Sequence, residues 1–198
     1  MVELGFLRKI RDATRHSSKT GGDSIFSLSS AYITLDTKLG LVTTGKCAIS
    51  IKATNGRYFY EMQQEIERFI TGAKPDIDLQ YRTVTDSYGY LWMVLEGKKI
   101  EDLLAGITSI DDTVKEKGFS DELLAVVFQF SSNRADSTGD KKYHLVYNYK
   151  RDNFYPFVST GAKTRNTEEE MKIMAAIGEE VPFEKDMALW YPLWDLPL

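Results

Sequence analysis

The residues that most often carry chemistry are scarce in this chain. His16 and His144 are the only histidines and Cys47 the only cysteine among 198 residues. Two histidines so far apart, with no cysteine near either, do not have the spacing of a zinc site. His144 alternates against the aromatic face of its strand, which reads it as a surface histidine. Cys47 shares a strand face with Ile49 and Ile51, and nothing in the neighbouring sequence would stabilise a thiolate, so it reads as a buried structural thiol. Lys19-Thr20 and Gly45-Lys46 lack the G-x-x-x-x-G-K-[ST] spacing that lets backbone amides cradle a phosphate. No G-x-S-x-G, H-E-x-x-H or Cys-His-acid pattern is present. Glu101, Asp102, Asp111, Asp112 and Glu116 crowd one helix, but their spacing places most of them on its solvated side. No catalytic residue, cofactor or metal site is predicted.

What remains is recognition chemistry. Lys142 to Val158 holds six aromatic residues in 17 positions, a density that belongs to packed strands. Tyr143, Leu145, Tyr147 and Tyr149 alternate onto one face, Lys150 to Asn153 supplies turn residues, and the chain returns through Phe154, Tyr155 and Phe157. Pro156 has no N–H for a ladder, which places the returning strand at a sheet edge. A second aromatic group closes the sequence: Trp190, Tyr191, Leu193, Trp194, Leu196 and Leu198, interrupted by Pro192 and Pro197. Such a segment is no regular helix and is too apolar to stand free in water. Two roles are open to it. It docks on its own domain, covering the hairpin edge, or it joins Arg151, Phe154, Tyr155 and Phe157 with Trp190, Tyr191 and Trp194 in an interface for a partner, rich in aromatic and arginine anchors.

The elements that must position these groups follow from periodicity. Ile25 to Leu41 reads as a helix, and Cys47 to Ala53 as a strand with one buried face. From Tyr58 to Thr71 the stripe Phe59, Met62, Ile66, Phe69 marks an amphipathic helix, with Pro75 as its stop signal. Leu79 to Thr85 and Tyr90 to Leu95 form a hairpin through Asp86 to Gly89; the second strand is apolar on both faces and so central. Ile100 to Lys117 is a helix ended by Gly118. Leu123 to Phe130 is a strand that leads into the aromatic hairpin as an antiparallel meander. Thr167 to Glu170 has the form of a capping box at the start of a helix ending at Gly178. The resulting fold class is α+β: a mixed, mainly antiparallel sheet of about six strands with amphipathic helices packed mostly on one face.

Composition and charge narrow the setting. A hydrophobic content of 42% supports one core in a chain of this length, so residues 23–198 are expected to form a single domain after an arm and joint over 1–22. The net charge of −4 and pI near 5.3 argue against nonspecific nucleic-acid binding. The first twenty residues run the other way, with a net +3. Within them Phe6, Leu7, Arg8, Lys9, Ile10 and Arg11 suit a short amphipathic helix, which either docks on the domain or touches an anionic membrane surface. A lone cysteine and no membrane-spanning apolar run point to a reducing, cytoplasmic setting, with any membrane contact peripheral.

Several of these segments, taken together, carry a resemblance. YKRDNFYPF from Tyr149 to Phe157 and WYPLWDLPL from Trp190 to Leu198, with GF at Gly5 and Phe6, LGL at the end of Ile25 to Leu41, DSYGYLW from Asp86 and EKGF from Glu116, resemble the PspA-associated protein family PspAB. The likeness spans nearly the whole chain. It implies a role beside PspA in the phage-shock, or envelope-stress, response, with PspA or a membrane-bound zinc protease as partner. It implies no chemistry. A non-enzymatic adaptor acting by protein contacts is therefore expected, and the alternative is a small-molecule-binding domain or enzyme of unrecognised type with a pocket between sheet and helices.

Overall fold

A computed structural model of the protein describes residues 22–72, 78–134, 141–161 and 163–198. The expected basic helix with Phe6 to Arg11, most of the joint that follows it, and the stop signal Pro75 lie outside these residues. The first described elements are two short helices, α1 (Gly22–Phe26) and α2 (Leu28–Thr34), continued by a wider π turn over Leu35–Leu39. Ile25, Leu28, Ala31 and Leu35 recur at helical spacing and are all buried. Gly40 ends the run at φ 66°, a left-handed conformation that glycine adopts without strain. The single expected helix is thus broken once, at Ser27.

The strands are β1 (Leu41–Lys52), β2 (Leu79–Thr85), β3 (Tyr90–Gly97), β4 (Leu123–Ser132), β5 (Lys142–Asn148), β6 (Asn153–Gly161) and β7 (Thr164–Arg165). They form one sheet in the order β2-β3-β1-β4-β5-β6-β7, each neighbouring pair antiparallel. β4, β5 and β6 form the expected meander. β3 lies inside the sheet as its two apolar faces require. Its hairpin is pinned by Asp86, whose carboxylate accepts the N–H groups of Tyr88 and Tyr90 and the Trp92 indole N–H at 2.9–3.0 Å. β1 departs from expectation. It starts six residues earlier and buries every residue from Cys47 to Ile51, because it runs through the sheet centre between β3 and β4. A register shift between Thr43 and Lys46 marks a bulge there. Gly45 occupies it at φ 78°, and a Cβ at that point would lie 2.4 Å from the Gly97 carbonyl oxygen, so only glycine fits.

The helices cover one face of the sheet. α3 (Arg57–Gly72) presents Phe59, Met62, Ile66 and Ile70, and α4 (Ile100–Glu116) presents Ile100, Leu103, Leu104, Ile107, Ile110 and Val114. They meet Cys47, Ile49, Met93, Leu95, Val126 and Phe128 in one continuous core. Asp111 corrects the expected solvated acidic face of α4: it is 1% exposed, with its Oδ2 accepting from Lys115 at 2.6 Å. The last helix, α5 (Thr167–Ile177), is capped one residue before the expected box. The Asn166 side chain accepts from the Glu169 N–H at 3.1 Å, and Glu170, freed from capping, turns into the core.

Candidate functional site

The face of the sheet turned away from the helices carries Val94 and Trp92 of β3, Ala48 and Ser50 of β1, Val127 and Gln129 of β4, His144 and Val146 of β5, and Tyr155 and Phe157 of β6, which pair in register across the strands. All are buried. The chain after α5 covers this side. It begins beside β6, where the Phe154 N–H donates to the Pro182 carbonyl at 2.7 Å and the Glu184 N–H to the Phe154 carbonyl at 2.8 Å, a short parallel pairing. Farther along, the Trp194 ring packs edge-on against Phe157 at 5.1 Å. Near its end the Pro197 carbonyl accepts from Arg82 of β2 at 2.5 Å. The C-terminal segment therefore spans the sheet from β6 to β2.

Two buried carboxylates fasten it. Glu184 is 5% exposed; it accepts from Arg151 Nε, from Asn153 Nδ2 at 3.0 Å and from the Asp186 N–H at 3.0 Å. The Arg151 hydrogen bond, the Asp186 amide and Asn153 hold its pKa below the ordinary carboxylate range against the opposing effect of burial. Its backbone carbonyl accepts the Trp190 indole N–H at 2.9 Å. Glu170 is fully buried and receives Arg165 through Nε at 3.0 Å and Nη2 at 2.8 Å, together with the Val158 N–H at 2.9 Å. Arg165 in turn donates to the Trp190 carbonyl at 2.9 Å. Pro156 sits between the two fastenings. Phe154 and Val158 send their N–H groups outward from β6, to Pro182 and to Glu170, and the alternation of the strand points position 156 the same way. That is the slot where an absent N–H costs nothing.

The residues singled out from sequence come together around β6 in different environments. Phe154, Tyr155, Phe157 and Trp190 are buried. Trp194 is half-buried, and Tyr191 remains 50% exposed. The Arg151 side chain is 44% exposed while paired to Glu184, and Met187, at the foot of the same segment, is 41% exposed. Electrostatic coupling of Arg151 to Tyr191 and Asp186 places these groups at one corner. Glu170, Glu184 and Arg165 escaped sequence reasoning. The one signal for Glu184 is an acid directly after the apolar run Val181 to Phe183, where an unpaired charge would be costly.

His144 corrects the surface assignment: it is 3% exposed, since the face opposite the aromatic one is covered. Its Nδ1 lies 3.2 Å from the Phe157 carbonyl and its Nε2 3.4 Å from Gln129 Nε2, which fixes a neutral ring donating through Nδ1 and accepting at Nε2. Burial, aided by Lys142, pushes its pKa down to about 4 against the opposing pull of the Phe157 carbonyl. Gln129 Oε1 accepts from Thr44 at 3.0 Å. Beside this pair is a cavity of about 310 Å³ walled by Phe157, Leu193, Trp194 and Leu196, with Lys142, Lys163 and Asp195 among its lining residues.

A second polar group sits on the helix side. Asp111, the partly buried Tyr149 and the buried Tyr147 are electrostatically coupled, and the Tyr147 hydroxyl donates to Asp152 at 2.5 Å. Burial raises the pKa of Asp111 and of Tyr149. Lys115 closes the group, 5.8 Å above the Tyr149 ring. Among the described residues no cluster of three or more His, Cys, Asp or Glu could hold a metal ion, and no helix is long and apolar enough to cross a membrane.

Comparison with curated proteins and with solved structures finds no significant match. The family comparison does: the profile described as PspA associated protein B matches residues 4–198, a span that takes in the whole sheet, both fastenings and the covering segment, and the chain therefore belongs to the PspAB family.

Proposed function

We propose that the protein is a non-enzymatic adaptor of the envelope-stress response that works by binding PspA. The observation that carries this is the family match over residues 4–198, whose description ties the chain to PspA. The contact is assigned to the corner formed by Arg151, Met187 and Tyr191, where an arginine, a methionine and an aromatic residue stay accessible on a rigid clamp. The buried aromatics behind it, Phe154, Tyr155, Phe157 and Trp190, hold that corner in shape. Crosslinked pulldown from cells under membrane stress tests the reading. PspA should be captured by the native chain and lost with the pair Met187→Ala and Tyr191→Ala, both at exposed positions, while the melting temperature stays within a few degrees. Recovery of the protein alone in repeated pulldowns sinks it, and capture of a membrane zinc protease without PspA would transfer the adaptor role to that partner.

A further inference from the structure

We propose that the outer edge of β2 pairs antiparallel with β2 of a second copy of this chain, continuing the sheet across a two-fold axis. The sheet has two ends and only one is closed. Beyond β6 the short β7 and the Phe183 bridge occupy the edge, and Pro156 removes an N–H between them. At the other end no strand among the described residues lies outside β2. β2 also lacks the usual guards of an edge: it keeps unbroken register with β3, contains no proline, and carries one charged residue, Arg82. Its backbone groups are ordered for pairing. The Asp86 N–H donates to the Tyr90 carbonyl at 3.0 Å, so alternation turns the amides of Gln80, Arg82 and Val84 towards β3 and those of Leu79, Tyr81 and Thr83 outward.

Charge selects the occupant and its register. On the face turned from the helices the edge presents Asp78, paired with Lys98, and Arg82, paired with Glu96. Both signs are present in balance, which suits the same edge reversed against it better than a strand of one charge. An axis through Tyr81 sets Gln80 opposite Arg82 of the partner subunit, with the partner's Asp78 on the diagonal. An axis through Arg82 would set the two guanidinium groups against each other. The Tyr81 register aligns Leu79 with Thr83 and Tyr81 with itself, for about six backbone hydrogen bonds. It also brings a second hydroxyl beside that of Tyr81, which is buried and without a hydrogen-bond partner among the described residues. The pair is closed, because the opposite sheet edge is taken and growth into a fibre has no second template.

This inference does not depend on PspA binding. So short a ladder is a small interface, which makes the pair reversible and dependent on concentration. The test is sedimentation of the full chain over a range of concentrations, with amide hydrogen exchange read by NMR at the two extremes. The mass should rise from 22.6 kDa towards twice that value, and exchange should slow at Leu79, Tyr81 and Thr83 but not at Gln80, Arg82 and Val84. Gln80 is exposed, so its variants keep the fold. Gln80→Glu should tighten the pair and Gln80→Arg weaken it, each by roughly threefold or more, because the axis uses the contact twice. Thr83→Pro, which deletes an outward N–H at an exposed position, should abolish it. The proposal is overturned if the mass stays at 22.6 kDa up to about 1 mM, if species larger than a pair form, if the Gln80 variants associate like the native chain, or if exchange slows only elsewhere. A strand of another protein on β2 would leave the pure chain monomeric and so overturn it as well.

Discussion

At Glu170, removing the carboxylate leaves the Arg165 guanidinium and the Val158 N–H without their acceptor inside a dry site. Glu170→Ala should therefore cost about 3 kcal/mol in urea unfolding, and Glu170→Gln, which keeps an acceptor, less. His144 predicts an acid limb. Its folded pKa lies below the value of about 6.5 it has when unfolded, so the unfolded chain binds the extra proton, and stability falls as pH drops from 6.5 towards 4, by up to about 3 kcal/mol. Melts across that range should show the slope, and His144→Gln should flatten it. Glu184 acts lower on the scale. With its folded pKa depressed, its contribution is complete above the ordinary carboxylate value of about 4.3 and is lost as pH falls through the depressed one. None of these three roles was legible in the sequence. Glu170 stood in a plausible capping box, and His144 on a strand face that alternation alone assigns to solvent; both readings failed because distant chain covers them.

Elements were far more legible than side-chain partners. α4 was readable from its stripe Ile100 to Val114 and the β2–β3 hairpin from Asp86 and Gly89, since each signal is local and tied to backbone geometry; the edge place expected for β6 was not, because β7 and the Phe183 bridge flank it on either side of Pro156, which leaves only that one slot unpaired. β1 was not, because its double burial follows from where it sits in the sheet and not from its own alternation. The C-terminal segment has no period to read. Composition alone required it to be buried somewhere, and register decides where. Ending the chain after Lys185 removes Trp190, Leu193 and Trp194 and uncovers Tyr155 and Phe157, so it should cost roughly 3–5 kcal/mol, on the scale of deleting large buried aromatics, with a clearly lower melting temperature. Tyr191→Ala, by contrast, removes an exposed ring and should change stability by less than about 0.5 kcal/mol.

At the scale of the molecule, charge is divided: the first twenty residues carry a net +3 and the whole chain −4. If the arm touches membrane, flotation with anionic liposomes should be salt-sensitive, and a protein beginning at Asp23 should lose it; equal flotation of the two ends the idea. The order of synthesis adds a constraint of another kind. The strands are made before the segment that spans β6 to β2. A chain stalled or cut before Glu184 therefore has the strands without their cover, with Trp92, Tyr155 and Phe157 bare on one side. Such a chain carries an open apolar face of the kind that chaperones and proteases engage, so quality control reads the covering segment through its absence.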